Sequence, residues 1–181
     1  MEIINLTVEF ETLRVLDGIS LSIKESAVAL MGPSGRGKTT LLRAMAGLIE
    51  YSGEINGVQN PIILFQEDRL FPWLTVRQNV MLFAKDEAQA DKWLERLGLA
   101  DVANANISTL SGGMQRRVSV AAMLCCDGDV FLLDEPTRGL DEHNADVVMQ
   151  CVLEKAKGRT VIFSTHSQEL AQKYAERIIL I

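Results

Sequence analysis

The chain of 181 residues reads as an α/β protein with a mainly parallel central sheet, an antiparallel β subdomain at its N-terminus and a small α-helical subdomain inserted midway. Three patterns predict this. Continuous apolar runs at Ala27–Met31, at Val130–Leu133 and at Thr160-Val161-Ile162-Phe163 have the length and character of strands buried on both faces. A helical pattern from about 142 to 157 separates the last two runs, and a strand–helix–strand alternation makes the strands parallel. The opening segment alternates instead: Ile4, Leu6 and Val8 share one face, and Leu21 with Ile23 repeats the period after the turn-forming pair Asp17-Gly18, which predicts an antiparallel start.

The elements follow in order. Ala27–Met31 leads directly into a glycine-rich loop, after which Thr40-Leu41-Leu42-Arg43-Ala44-Met45-Ala46-Gly47 reads as a helix with Leu41, Leu42 and Met45 inward and Gly47 near its end. Pro61-Ile62-Ile63-Leu64-Phe65 is a further short strand, broken by the polar loop Gln66-Glu67-Asp68-Arg69. Thr75 with Gln78 forms a capping box that starts a helix through about Ala84, and Asp86 caps a second helix ending at Gly98. Residues 67 to about 110 therefore make a helical insertion, and with the helix that follows the inserted subdomain is expected to run over about 67–127 of a single domain of residues 1–181. The helix from 142 to 157 presents Val148, Cys151 and Val152 on one face. A last helix near 168–176 and a strand at 178–181 follow.

Bulk properties bound the function. This length favours one domain with one substantial core, and 48% hydrophobic with 23% charged residues excludes a disordered chain. The net charge is −6, and without a run of Lys and Arg no nucleic-acid partner is expected. No basic, apolar leader opens the chain and no apolar run approaches the roughly 18 residues of a membrane span, so a soluble, unexported chain is expected. Three cysteines, Cys125, Cys126 and Cys151, lack metal-ligand spacing and read as reduced core thiols of a cytosolic protein.

The loop Gly32-Pro33-Ser34-Gly35-Arg36-Gly37-Lys38-Thr39 carries the first chemistry. A helix N-terminus has unbonded N–H groups and a partial positive charge, and a glycine-rich turn ahead of it wraps those donors around phosphate oxygens. Lys38 adds a point charge for the β- and γ-phosphates, the Thr39 hydroxyl can complete a Mg²⁺ shell, and Thr40 can donate one turn further on. A chance match to G-x(4)-G-K-T would not carry a strand before it and a helix after it, so the loop marks a P-loop nucleoside triphosphatase fold. Asp134-Glu135 follows the strand Val130–Leu133 at the carboxyl edge where open α/β sheets build sites. Phosphoryl transfer to water needs a held Mg²⁺ and a group that orients or deprotonates the water; Asp134 suits the metal and Glu135 the water.

A second glycine loop, Leu110-Ser111-Gly112-Gly113-Met114-Gln115, precedes a helix to about 126, with Ser111 a natural N-cap. With these residues the chain resembles the ATP-binding-cassette ATPases, which join a Walker A loop, a Leu-Ser-Gly-Gly signature and an Asp-Glu Walker B in this order. Gln66 is similar to the family's Q-loop glutamine, Gly139-Leu140-Asp141 to the D-loop, and His166 in Ser164-Thr165-His166 to the switch histidine. Phe10, 28 residues before Lys38, stands where the family places an aromatic that stacks on adenine, the alternative being an ordinary strand aromatic.

The resemblance implies a catalytic set of Glu135, His166 and Lys38, and a metal set of Thr39, Gln66 and Asp134. It implies nucleotide contacts along Gly32 to Thr40 and at Phe10 and Gln66, with Ser111 and Gly113 reaching the γ-phosphate held by the other cassette of a head-to-tail pair, a homodimer or a paired subunit. ATP and Mg²⁺ are the cofactors implied. The segment Leu70-Phe71-Pro72-Trp73-Leu74-Thr75-Val76 and Met114 are similar to importer cassettes, in which this segment receives a membrane-spanning permease subunit; Phe71 and Trp73 could equally be buried in the helical subdomain. The protein would then be peripheral on the cytoplasmic face of the cell membrane, energising import of a small solute.

Three departures from the family pattern stand out. Lys24-Glu25-Ser26-Ala27 lacks the glycine turn that commonly precedes the Walker strand, which should alter a hairpin and not the phosphate site. Val120-Ala121-Ala122-Met123-Leu124 has alanine where many cassettes carry arginine, which argues against a salt bridge from that helix. The chain also stops soon after His166, as a minimal cassette would. A cassette ATPase outside transport, in DNA repair or translation, and a small-molecule kinase or GTPase on the same phosphate loop are the rival classes.

Overall fold

A computed structural model describes residues 1–11 and 13–181. Its strands are β1 (Glu2–Phe10), β2 (Leu13–Ser22), β3 (Ala27–Met31), β4 (Ser52–Asn56), β5 (Pro61–Leu64), β6 (Val130–Leu133), β7 (Thr160–Ser164) and β8 (Arg177–Leu180). Its helices are α1 (Lys38–Met45), α2 (Val76–Met81), α3 (Glu87–Arg96), α4 (Gly112–Cys125), α5 (Glu142–Lys155) and α6 (Gln168–Tyr174). The chain divides into two compact units, residues 1–63, 128–134 and 158–181 in one, and 64–127 with 135–157 in the other.

The first unit holds two sheets. The five-stranded sheet has the order β5-β6-β7-β3-β8, and the pairs β6–β7, β7–β3 and β3–β8 run parallel, as the apolar runs predict. Every residue of β6 is buried, as are Ala27 to Leu30 of β3. The three-stranded sheet, β2-β1-β4, is antiparallel. Ile3, Leu6, Val8 and Leu16 from it share one hydrophobic cluster with Leu41, Leu42 and Met45 of α1 and with Val28, Leu30, Val130, Leu132 and Ile162 of the parallel sheet. Removing water from side chains of this size stabilises by about 1.5–3 kcal/mol each, so α1 is anchored just beyond the loop it follows.

The N-terminal sheet departs from strict alternation. Ile3 is 1% exposed and Ile4 44%, so Ile3, not Ile4, joins Leu6 and Val8 on the inner face. Asp17-Gly18 is not a turn but lies inside β2, which pairs with β1 from Glu2↔Ser22 to Phe10↔Leu13 with shifts of register between Ile3 and Leu6 and between Leu6 and Val8. Asn5 and Gly18 both have left-handed backbones, φ 50° and 62°, and each resets the side-chain phase as an extra residue in a ladder does. The Asn5 N–H donates to Ser20 Oγ and the Gly18 N–H to Thr7 Oγ1, so the displaced donors are satisfied. β4 has no strand signature of its own: its sequence, Ser-Gly-Glu-Ile-Asn, carries one apolar residue, and pairing with β1 is what makes it a strand. Where the glycine turn is missing, the Glu25 carboxylate accepts the Lys24 N–H and stabilises the bend that enters β3.

The second unit is helical. Thr75 and Gln78 form the capping box that starts α2, Asp86 caps α3, Ser111 caps α4 and Asp141 caps α5; each such cap is worth about 1 kcal/mol. α2, α3 and α5 pack on α4. Val148, Cys151 and Val152 of α5 are buried, as their spacing predicts. The cysteines are free thiols, and burial pushes the Cys125 thiol up to about 11. Among the described residues no helix is long and apolar enough to cross a membrane.

Candidate functional site

In the first unit, three neighbouring parallel strands end together. β6 runs into Asp134, β7 ends in Ser164 and β3 runs into Gly32, in the lateral order β6-β7-β3. This adjacency brings residues from three distant stretches to one carboxylate: Thr39 Oγ1 donates to Asp134 Oδ2 at 2.7 Å, and Ser164 Oγ donates to Asp134 Oδ1 at 2.6 Å. Asp134 is 4% exposed, so a buried carboxylate is held by hydroxyl donors at charge-assisted distances. The sequence marks Ser164 only as a hydroxyl ending an otherwise apolar strand. Among the described residues no group of three His, Cys, Asp or Glu side chains could hold a metal. One carboxylate and one hydroxyl suit a small hard cation that takes the rest of its shell from phosphate and water.

The phosphate loop meets the same edge. Gly37 precedes α1 with φ 96° and no side-chain cap, leaving the first N–H groups of the helix facing the loop. A Cβ at Gly37 would stand 2.5 Å from Leu16 Cδ2, so both backbone and space demand glycine there. Pro33, Ser34, Gly35 and Arg36 are exposed and Thr40 is half-buried. Lys38 is 6% exposed, and its Nζ donates to the carbonyls of Gly32 at 2.8 Å and Pro33 at 3.0 Å, which centres the ammonium inside the loop. His166 is exposed immediately beyond β7, and Phe10, 48% exposed, ends β1 in the antiparallel sheet.

The second unit carries the remaining sequence-predicted residues. Gln66 is half-buried two residues beyond β5. Ser111 Oγ accepts the Met114 N–H at 3.3 Å, so the signature serine is the cap of α4. Gly113 lies against the loop before α5, where a Cβ would sit 3.1 Å from the Gly139 carbonyl oxygen and 3.3 Å from Leu140 Cδ2. Glu135, half-buried, has a left-handed backbone of φ 48°. The expectation that α4 lacks a salt bridge is overturned: Arg116, 1% exposed, donates to Asp68 Oδ1 at 3.0 Å. Its signal in the sequence is a charge on the buried stripe shared with Val120 and Met123, four and seven residues on.

Phe71 and Trp73 are 40% and 72% exposed and meet edge to face, ring centres 5.5 Å apart, so they are not core residues of the helical unit. Buried Asn79 presents them: its Oδ1 accepts the Phe71 N–H, and its Nδ2 donates to the carbonyls of Phe71 and Thr75. Leu82 and Phe83, 54% and 49% exposed, are further apolar side chains in water at the end of α2.

Residues 16–138 match the family model described as ABC transporter. The chain is 38% identical over 189 residues to the taurine import ATP-binding protein TauB of Jannaschia sp., an alignment covering 93% of this chain and 70% of that protein. It is 38% identical over 175 residues to the aliphatic sulfonates import ATP-binding protein SsuB 2 of Pseudomonas syringae pv. tomato, covering 92% and 75%. Among solved structures, a dimeric ATP-binding cassette in a post-hydrolysis state, bound to ADP and phosphate, superposes with a TM-score of 0.86 at 28% identity, covering 99% of this chain and 93% of that one.

Proposed function

The chain belongs to the ABC transporter ATPase family, and we propose that it is the subunit that hydrolyses ATP to drive import of a small solute through a membrane-spanning permease partner. The observation that carries this reading is the Thr39–Asp134–Ser164 cluster, built from three adjacent strand ends beside the phosphate loop. Its residues fit a nucleotide-borne Mg²⁺, with Thr39 and Asp134 as its protein ligands and Gln66 as a further one. Bound there, Mg²⁺ would neutralise charge on the β- and γ-phosphates.

The residues then divide the work. The N–H groups from Gly32 to Thr40 cradle the phosphates and Lys38 moves its ammonium from loop carbonyls to phosphate oxygens. Phe10 stacks on the adenine. Glu135, one peptide bond beyond Asp134, takes a proton from the water that attacks the γ-phosphorus; the bond to the β–γ bridging oxygen breaks and ADP leaves. His166 steadies the γ-phosphate. Ser111 and Gly113 contact the γ-phosphate held by a second cassette, identical or paired, so two chains close around ATP and separate after hydrolysis.

Importer function is supported by the import proteins among the relatives and by the exposed Phe71–Trp73 pair, which offers a permease an apolar foothold. In this reading the protein sits on the cytoplasmic face of the cell membrane, held there by that partner. The test is Glu135→Gln: turnover is expected to fall at least about 100-fold while ATP still binds and a dimer accumulates in gel filtration only when ATP is present. Wild-type turnover by this variant would remove Glu135 from its role.

A further inference from the structure

We infer that Arg116 is a positioning residue for hydrolysis: one buried guanidinium joins the Gln66 loop, the signature helix and the backbone of Glu135 into a single mechanical piece. The inference rests on the reading of Glu135 as the group that takes the proton from water, and it adds how that group is aimed.

The guanidinium sits on α4 one turn past Ser111 and Gly113, 1% exposed. Its Nη1 donates to the Phe65 carbonyl at 2.7 Å and to Asp68 Oδ1 at 3.0 Å. These partners flank Gln66 on both sides. Its Nη2 donates to the Glu135 carbonyl at 2.7 Å and its Nε to the Pro136 carbonyl at 3.2 Å. A planar fork with donors fixed in direction can span such a spread of acceptors; an ammonium, a single point on a flexible stem, cannot.

Burying this charge carries a desolvation cost that a Leu or Met on the same helical stripe would avoid, so what the charge holds is the reason to look for a role. What it holds is strained. Glu135 has φ 48°, a backbone disfavoured for any residue with a Cβ, and such outliers persist where surroundings over-determine them. The Glu135 carbonyl accepts both from Arg116 and from the Arg138 N–H at 3.1 Å, and this grip sets the direction in which the Glu135 side chain leaves the chain. A shift of the Gln66 loop pulls on Arg116 through Phe65 and Asp68, and Arg116 passes it to Glu135. Gln66 therefore reports to Glu135 through a buried side chain that bonds the backbone on either side of the site.

The experiment compares steady-state ATP hydrolysis, per bound ATP, in wild type, Arg116→Lys, Asp68→Asn, Glu135→Gln and the double variants with Glu135→Gln. Arg116→Lys is expected to lower kcat on the order of 10- to 100-fold, the effect of sub-ångström misplacement of a reacting group. ATP affinity should stay within about twofold, because the phosphate loop is built from other elements. Asp68→Asn, which keeps the guanidinium and its carbonyl partners, should lower kcat severalfold and serves where Arg116→Lys does not fold. In the Glu135→Gln background neither change should alter the residual slow turnover, since a residue acting only through Glu135 has nothing left to aim. Wild-type kcat in both single variants, or losses that multiply with that of Glu135→Gln, would overturn the inference. Normal turnover by Glu135→Gln alone would instead overturn the reading beneath it.

Discussion

Gly37 and Asp134 show how single positions here answer to more than one demand. Gly37 must supply φ 96° and leave room for Leu16 Cδ2 at 2.5 Å from where a Cβ would stand. Gly37→Ala is therefore expected to cost about 1–3 kcal/mol of stability and to weaken ATP binding at least about tenfold, read by denaturant unfolding and by calorimetric titration. The glycines and Lys38 are legible in sequence because the motif is local: strand, loop and helix are consecutive. Asp134 was legible too, but not that Ser164 would occupy its second oxygen, because β6 and β7 are joined by 26 residues that say nothing of their adjacency. The partners of Arg116 are illegible for the same reason. They lie 48 to 51 residues before it and 19 to 20 after it, and only the fold brings them within reach of one side chain.

Elements were legible where side chain and backbone interact within one turn. Thr75, Asp86 and Ser111 each cap the helix they were expected to cap, since an N-cap oxygen needs only the N–H two or three residues on. Strand phase in the N-terminal sheet was not legible, because Asn5 and Gly18 shift the ladder by adopting left-handed backbones that residue type alone does not dictate. The helical elements are also tied by charge. Asp127, just past α4, pairs with Lys155 in the last turn of α5 and with Lys85 ahead of α3, both at 2.8 Å. Hydrogen bonds from Lys155 and then Lys85 lower its carboxyl from the ordinary 3.8 to about 2. A carboxyl depressed on folding stabilises above its unfolded value and loses that contribution as pH falls through the folded one. The stability difference between wild type and Asp127→Asn should thus be full above about pH 4 and vanish towards pH 2, as followed by urea unfolding across that range.

For the molecule as a whole, the sequence alternation foretold a parallel sheet but not its order, in which β3 lies between β7 and β8 and so places the phosphate loop beside Ser164. Nor could it decide between the two places open to Phe71 and Trp73. The structure exposes them because Asn79 ties the backbone of their loop from beneath and leaves the rings outside. Trp73→Ala should reduce co-purification with a multi-span membrane subunit at least severalfold, in line with the loss of an aromatic anchor, while ATP binding measured on the isolated chain stays unchanged. The loop that Asn79 ties down also makes gene dosage matter. Copies made beyond the supply of a covering subunit keep an indole and a phenyl ring in water, in addition to exposed Leu82 and Phe83, and such surplus is what self-association and cellular quality control act upon. A cell using this protein gains by matching its synthesis to that of whatever sits on those rings.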